Sequence, residues 1–413
     1  MARSLPFVHP LRAVNRSRVM SALLDGAASS RPDLARHLDL SLMATTRITN
    51  ELIEMGFIQE GAPSARSEPG RPPASLAINP SGAYVLGLKL HAFDQSMVLM
   101  DLAGRSMRRF ALNFSAPTNG AHSLSELADQ AITAIGSAEI DSHRVVGAGV
   151  ALTGVVDRER GRLIDAPYLG WSSLDFAEFL ERRLGTPVVV DRISSALLAA
   201  ISRRSRPLLR NAILVNIGFA MTAGFLVDGT VAYGERLMAG HIGHLGTGDK
   251  RYLCSCGQRG CLNVAASGWA ALADLGEVDD HVVSAEQFQK HRPQLTKLLQ
   301  REERGEPAAC QALERVGRTL GITIRPFQIA LDSTRVFLSG PVGTARSLVQ
   351  GVKNGIGDTL AQIVEPCEYL VDDAAALMAL DEFVRSPRMD FVRLGAPTVP
   401  SQRLISRKAV RQS

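Results

Sequence analysis

The sequence predicts an α/β protein: a small helical head followed by a larger body in which strands and helices alternate. Three observations predict it. The first 60 residues place apolar side chains at helical spacing and punctuate them with serine caps. From Ala83 onward, runs such as "AYVLGLKL", "VVGAGVAL" and "PVVVD" alternate with helical stretches such as "SLSELADQAITAIG", "LDFAEFLERRLG" and "SSALLAAISR". One plan of strand, strand, Gly-containing turn and strand occurs twice, first from "AYVLGLKL" through "QSMVLMDLAGRSMRRFAL" and again in "ILVNIGFAMTAGFLVDGTVAYG". Duplication of that kind implies two related lobes with a cleft between them.

In the head, "NRSRVMSALL" (Asn15 to Leu24) puts Val19, Leu23 and Leu24 on one helical face and Arg16 and Arg18 on the other. "GAASS" breaks that helix, and Ser30 with Asp33 three residues later makes a capping-box-like start for "RPDLARHL". Ser41 caps a further helix, "LMATTRITNELIEMG", in which Ile48, Leu52 and Ile53 form the buried stripe and Gly56 is the stop. Two short helices joined by a tight turn fit a helix-turn-helix, whose second helix would enter a major groove with Leu42, Met43, Thr46, Arg47 and Asn50 facing outward. After Gly56 come a strand, a Pro/Gly-rich loop with Arg66 and Arg71, and a returning strand, the pattern of a wing whose arginines reach phosphates or a minor groove. Residues 1–80 therefore read as a winged helix-turn-helix DNA-binding domain, with its boundary at Pro73 to Pro80. Three helices and a hairpin also serve as protein-binding modules, so the partner is double-stranded DNA or, on the rival reading, a protein.

Composition sets the setting. With 413 residues, 46% of them hydrophobic, the chain can bury several cores. No stretch approaches the ~20 apolar residues of a membrane span, and the N-terminus lacks the apolar centre of a secretory signal, which predicts a cytoplasmic protein. The net charge of +5 gathers at the ends: the first 24 residues carry four arginines and no acid, and from Arg385 onward seven basic residues face one aspartate. A basic end suits nucleic acid and equally a solvated arm. Residues 386–413, rich in Arg, Pro and Ser, read as a disordered tail.

Three of the five cysteines lie in "HIGHLGTGDKRYLCSCGQRGCLNV" (His241 to Val264). His244, Cys254, Cys256 and Cys261 make a closed Cys3His set, which suits structural zinc and leaves no position for a reacting water. An odd, clustered count does not suit a disulfide framework.

This segment, with its flanks "AG" and "AASG", resembles the zinc loop of the ROK family (repressors, open reading frames, kinases), Gly-Glu-x-Gly-His followed by Cys-x-Cys-Gly-x-x-Gly-Cys-Leu-Glu. "GVALTGVVDRERGRLIDAPYLGWSSLDFAEFLERRLGTPVVV" is similar to the family's stretch leading to its active site, and the head with "GRPPASLAINP" resembles the N-terminal domain of ROK repressors, which ROK sugar kinases lack. The resemblance implies an actin-like, ribonuclease-H-like body over residues 81–385: a small lobe of about 81–205 plus the helix "DDAAALMALDEFV", and a large lobe of about 206–370. It implies zinc bracing a loop at a sugar site, and a homodimer or higher homo-oligomer.

The resemblance also locates losses. ROK kinases carry Glu-Asn-Asp-x-Asn-Ala where this chain has Asp191, Arg192, Ile193, Ser194, Ser195 and Ala196, so isoleucine stands at the general-base position and cannot accept a proton. The phosphate turns Asp-x-Gly-Gly-Thr and Gly-Thr-Gly-x-Gly correspond to 89–93 and 218–222, where side chains replace glycines. The sugar-binding positions correspond to Arg192 and Ile193, His241, His244 and Asn263. The implied protein is not an enzyme but a transcriptional regulator, a repressor, whose body senses a sugar or sugar-phosphate effector through Arg192, His241, His244 and Asn263; the alternative is a bifunctional sugar kinase with a DNA-binding head. The gained positive charge suggests an anionic effector. In a cleft without ligand, Arg192 and His241 would instead fill space or pair with Asp191.

Overall fold

The computed structural model describes residues 11–61, 74–91, 94–113, 120–205, 207–278 and 285–388. Its head holds helices α1 (Leu11–Leu24), α2 (Arg31–Leu38) and α3 (Leu42–Glu54), followed by an antiparallel hairpin of β1 (Ile58–Gly61) and β2 (Ser75–Ile78). Both serine caps form: Ser30 Oγ accepts from the Asp33 N–H and donates to its carboxylate, and Ser41 Oγ accepts from the Ala44 N–H. Gly56 takes φ +77° just past the end of α3, a conformation glycine adopts without strain. The apolar face of α1 includes the expected residues and is wider than expected: Val19, Met20 and Ala22 are buried, and Leu23 and Leu24, half-buried, pack against the same core, which also holds Leu34, Leu38, Ile48 and Leu52. Arg66 and Arg71 lie outside the described residues.

The body is built on two five-stranded sheets. The first contains β3 (Tyr84–Leu90), β4 (Gln95–Asp101), β5 (Ser106–Leu112), β6 (Val145–Leu152) and, after the small sheet described below, β10 (Val188–Arg192), in the order β10-β6-β3-β4-β5. The second contains β11 (Ala212–Ile217), β12 (Met221–Val227), β13 (Thr230–Val231), β14 (Arg335–Ser339) and β15 (Val364–Pro366), in the order β13-β12-β11-β14-β15. In each, the first strand pairs antiparallel with its hairpin partner and parallel with the strand on its other side. The repeated sequence plan is thus a repeated sheet plan. A small antiparallel sheet of β7 (Val155–Asp157), β8 (Arg162–Ala166) and β9 (Trp171–Leu174) is added at the end of β6, a feature the sequence patterns did not signal.

Side-chain alternation decides which helices cover which face. Along β3, Leu86, Leu88 and Leu90 join the core beneath α4 (Gly120–Ser137) and α5 (Phe176–Leu184), whereas Val85 joins the opposite core with α6 (Ile193–Arg204). The second sheet packs Ile213, Val215 and Ile217 toward α7 (Leu262–Ala265), α8 (Gly268–Asp274), α9 (Ala285–Glu303), α10 (Pro307–Leu331), α11 (Gly340–Gly343) and α12 (Arg346–Ile356), and Ala212 and Leu214 toward α6. The last helix, α13 (Val371–Phe383), returns across the first sheet. It lies so close that a Cβ on Gly87 would stand 2.0 Å from the Asp372 carbonyl oxygen, and one on Gly149 1.9 Å from that of Ala375. Those two strands can bear only glycine there.

The head is joined to this layer. Met20, Leu52, Phe57 and Leu76 share one apolar cluster with Val85, Val98 and the residues of α13. Arg385, just past α13, donates to Asp25 at 2.7 Å and accepts from Ser21 through its carbonyl; Arg144 donates to the Gly82 carbonyl at 2.6 Å. Of the expected tail, Ser386 and Arg388 fold back onto Glu382, and residues beyond 388 lie outside the described residues. No described helix is long and apolar enough to cross a membrane.

Candidate functional site

Two places on the molecule gather the singled-out residues. The first is the outer face of α3. Its inner face is filled by Thr45, Ile48, Thr49 and Leu52, which leaves Leu42, Met43, Arg47 and Asn50 exposed and Thr46 half-buried. Met43 is 83% exposed, an unusual placing for a methionine in a small core-poor unit and one suited to a partner surface. From behind, Arg12 and Arg16 both bind Glu51, and the Arg31 guanidinium holds Asn50, Thr49 and Glu60. The helix is therefore fixed to α1, α2 and the hairpin while its front stays open.

The second is a cavity of about 190 Å³ between the sheets. Its walls come from the end of β6 (Thr153 to Val155), from β8 and the turn after it (Asp165 to Tyr168), from the β11–β12 turn (Gly218 to Thr222), and from His241, His244 and Asn263. His91, at the first phosphate-turn position, lines it as well; Ala92 and Phe93 of that turn lie outside the described residues.

The Cys/His cluster adjoins the cavity through His244, which lines it. The Sγ atoms of Cys254, Cys256 and Cys261 and a ring nitrogen of His244 all lie within 4.8 Å of one another, with Cys254 Sγ 3.6 Å from His244 Nδ1 and Cys256 Sγ 3.5 Å from Cys261 Sγ. Ligands bound at ~2.0 to 2.3 Å around one tetrahedral ion stand roughly 3.5 to 3.8 Å apart, so the donor set fits a metal ion. Burial and the neighbouring sulfurs push the Cys261 thiol up to about 12, which opposes three thiolates gathering there without a cation. The loop is pre-shaped by backbone bonds from Cys254 N–H to Gln258 and from Thr247 N–H to Gly260, and Gly260 at φ +81° abuts the Asp249 carbonyl.

The second phosphate turn has turned its backbone inward. The Gly218 N–H donates to the Ala220 carbonyl, and the Met221 N–H donates to Asn263 Oδ1 at 2.9 Å. Phe219 is buried against Trp269. Donors that could cradle a phosphate are thereby bonded within the protein. Ile193, the first residue of α6, is 2% exposed and belongs to the apolar core beneath that helix.

Arg192 requires a correction. It does not line the cavity: its guanidinium lies over the Tyr233 ring, binds the Ala239 carbonyl through Nη1, and leaves Nε and Nη2 buried without partners. Nor does its side chain pair with Asp191, which accepts instead from Arg158 at 2.8 Å and from the Tyr233 hydroxyl at 2.6 Å. Sequence spacing could not reveal this, because those partners sit on β7–β8 and on the loop after β13. The cation expected to attract an anionic effector thus stands behind the wall. His241 remains in the wall. Burial first, then Arg192 and His244, pull its pKa down to about 4, so it is neutral, and its Nε2 is buried without a partner. Thr153 Oγ1, missed by the sequence reading, also lines the cavity buried and unpaired.

Two duplicated sheets facing a cleft, with a helical head on the first, define a two-lobed protein of the actin-like fold. The chain belongs to the ROK family, whose model matches residues 95–376. It is 24% identical over 322 residues to the xylose repressor of Caldicellulosiruptor bescii, covering 76% of this chain and 79% of that one. Among solved structures, a ROK family transcriptional regulator described as a homologue of the Escherichia coli MLC protein superposes with a TM-score of 0.73 at 21% identity, over 93% of this chain and 99% of that one. A ROK family glucokinase from Streptomyces griseus, in complex with glucose and AMPPNP, gives 0.59 at 19% identity, over 72% of this chain and 99% of its own.

Proposed function

We propose that the chain is a sugar-responsive transcriptional repressor: residues 1–80 bind an operator, residues 81–385 form the two-lobed sensing and dimerising body, and the basic segment 386–413 is an appendage. The outward face of α3 carries the reading. Leu42, Met43, Thr46, Arg47 and Asn50 are presented together on a helix tied down from behind, and Arg66 and Arg71 are assigned to the adjoining wing. Selecting bound DNA from a random pool tests it. A two-fold symmetric site with half-sites whole helical turns apart is expected, and failure to retain any DNA at low salt would end the proposal, since phosphate contacts alone hold non-specific DNA.

In this reading the body binds without phosphorylating. Ile193 offers no base, and the Gly218 and Met221 N–H groups are engaged within the protein. Coupled-enzyme measurement with ATP and a hexose panel should give no turnover above background. His244, Cys254, Cys256 and Cys261 would hold one zinc ion, a structural cation that neutralises the thiolates. The effector would lie against His241, His244 and Asn263. With Arg192 turned away, His241 neutral and Asp165 in the wall, the cavity suits a polyhydroxylated ligand without phosphate better than an anion.

A further inference from the structure

Arg31 was singled out by no sequence pattern, yet it is the hub of the head. As the first residue of α2, directly after the Ser30 cap, it donates from Nη2 to Asn50 Oδ1 at 2.8 Å, from Nε to Thr49 Oγ1 at 3.1 Å and from Nη1 to Glu60 Oε1 at 2.6 Å. Its side chain is 20% exposed and thus sits behind the face of α3 rather than on it. A guanidinium only donates, so the amide of Asn50 has one permitted orientation: oxygen toward Arg31, NH2 group away from it.

That orientation has a chemical consequence for a residue on the exposed face. An asparagine free to rotate reads adenine with both ends of its amide, Oδ1 accepting from N6 and Nδ2 donating to N7. Here Oδ1 is already turned inward and engaged. Resting on the DNA-binding reading above, we infer that Arg31 is a specificity-determining positioning residue: by taking one lone pair of Oδ1 and drawing that oxygen inward, it turns the Asn50 NH2 group outward and biases the residue toward a keto base, guanine through O6 and N7 or thymine through O4. Thr49, fully buried, and Glu60 on β1 keep the guanidinium from following Asn50 if the amide swings outward.

The test is selection from a random DNA pool with the full chain and three variants. The unmodified protein is expected to show guanine or thymine at the position read by Asn50. Arg31→Met keeps the bulk but frees the amide, so that position should move to adenine. Asn50→Asp keeps an acceptor for Arg31 and replaces the outward donor by an acceptor, so the same position should move to cytosine or adenine, with affinity for the original site falling on the order of tenfold. Arg47→Ala should alter a different position, which identifies the one under Asn50. A merely structural Arg31 would lower affinity for all sequences alike and leave the base preference unchanged. If Arg31→Met does not fold, the base under Asn50 in the unmodified protein decides alone: guanine or thymine is expected, and adenine overturns the inference. Adenine under Asn50 in the unmodified protein, or an unchanged preference in both variants, overturns the inference while leaving DNA binding intact; capture of no DNA by the unmodified protein takes down the DNA reading and this inference with it.

Discussion

The outer face of α3 and the wall of the central cavity each carry an asparagine whose amide oxygen is engaged by the protein, and the two are used in opposite ways. Asn50 is held by a side chain behind it and offers its front to solvent, whereas Asn263 reaches forward to bind the Met221 N–H of the turn beside the cavity. The α3 face is stiffened from the rear and left chemically open. In the cavity wall the Gly218 and Met221 N–H groups are bonded within the protein, and two buried side-chain atoms, Thr153 Oγ1 and His241 Nε2, have no partner. On the proposed reading, a surface that meets a large partner and a pocket that takes a small one would thus differ in which atoms they leave unsatisfied.

The sharpest blow to one region alone is removal of a thiol. If the cluster holds a metal as proposed, Cys261→Ser should abolish its binding and destabilise the body by several kcal/mol, since site formation and folding are linked. Metal content by atomic absorption and a lowered Tm should record this, and full metal occupancy in the variant would disprove the ligand set. Next in size is Gly149→Ala, whose added Cβ meets the Ala375 carbonyl of α13. We expect roughly 3 kcal/mol of destabilisation by denaturant titration, as overpacking against backbone that cannot retreat is costly. Because α13 also touches the head cluster, this variant should disturb both regions at once, and an unchanged denaturation midpoint would show that α13 is free to shift.

Arg47→Ala should divide the regions the other way, costing ~1 to 3 kcal/mol in operator binding with no change in Tm, because Arg47 is exposed and packs no core. A uniform loss over all sequences would place Arg47 on a phosphate instead. The smallest effect concerns acid. Burial, opposed by Asp94 and reinforced by Lys89 and Arg292, pulls the His91 pKa down to about 4. The folded state thus keeps His91 neutral while the unfolded chain takes up a proton below about pH 6.5, so stability is complete above that pH and falls as pH drops toward 4. Melting at pH 7 and pH 5 should differ by on the order of 1 to 2 kcal/mol from this residue, and His91→Gln should flatten the slope. An identical slope in the variant would show that His91 is not the source of the acid sensitivity.

Local features were legible in the sequence and distant ones were not. The caps at Ser30 and Ser41 depend on a neighbour three residues away, and β3 to β6 and β10 to β13 declare themselves by composition, whereas β14 and β15 were not read. The gathering of His244 with the three cysteines could be read because ligand chemistry constrains spacing. The direction of Arg192 could not, since it is set by a carbonyl 47 positions along the chain and by the Tyr233 ring. Arg31 escaped notice because nothing about an arginine after a cap foretells three partners on two other elements.

The joint between head and first sheet sets how the head is carried. The Leu102 N–H binds the Pro80 carbonyl, and Arg385 donates to Asp25 just past α1 and accepts from Ser21 within it. The head is therefore mounted like a blade on a handle, not hung on a tether. A mounted blade gives up little orientational entropy when it docks on a partner.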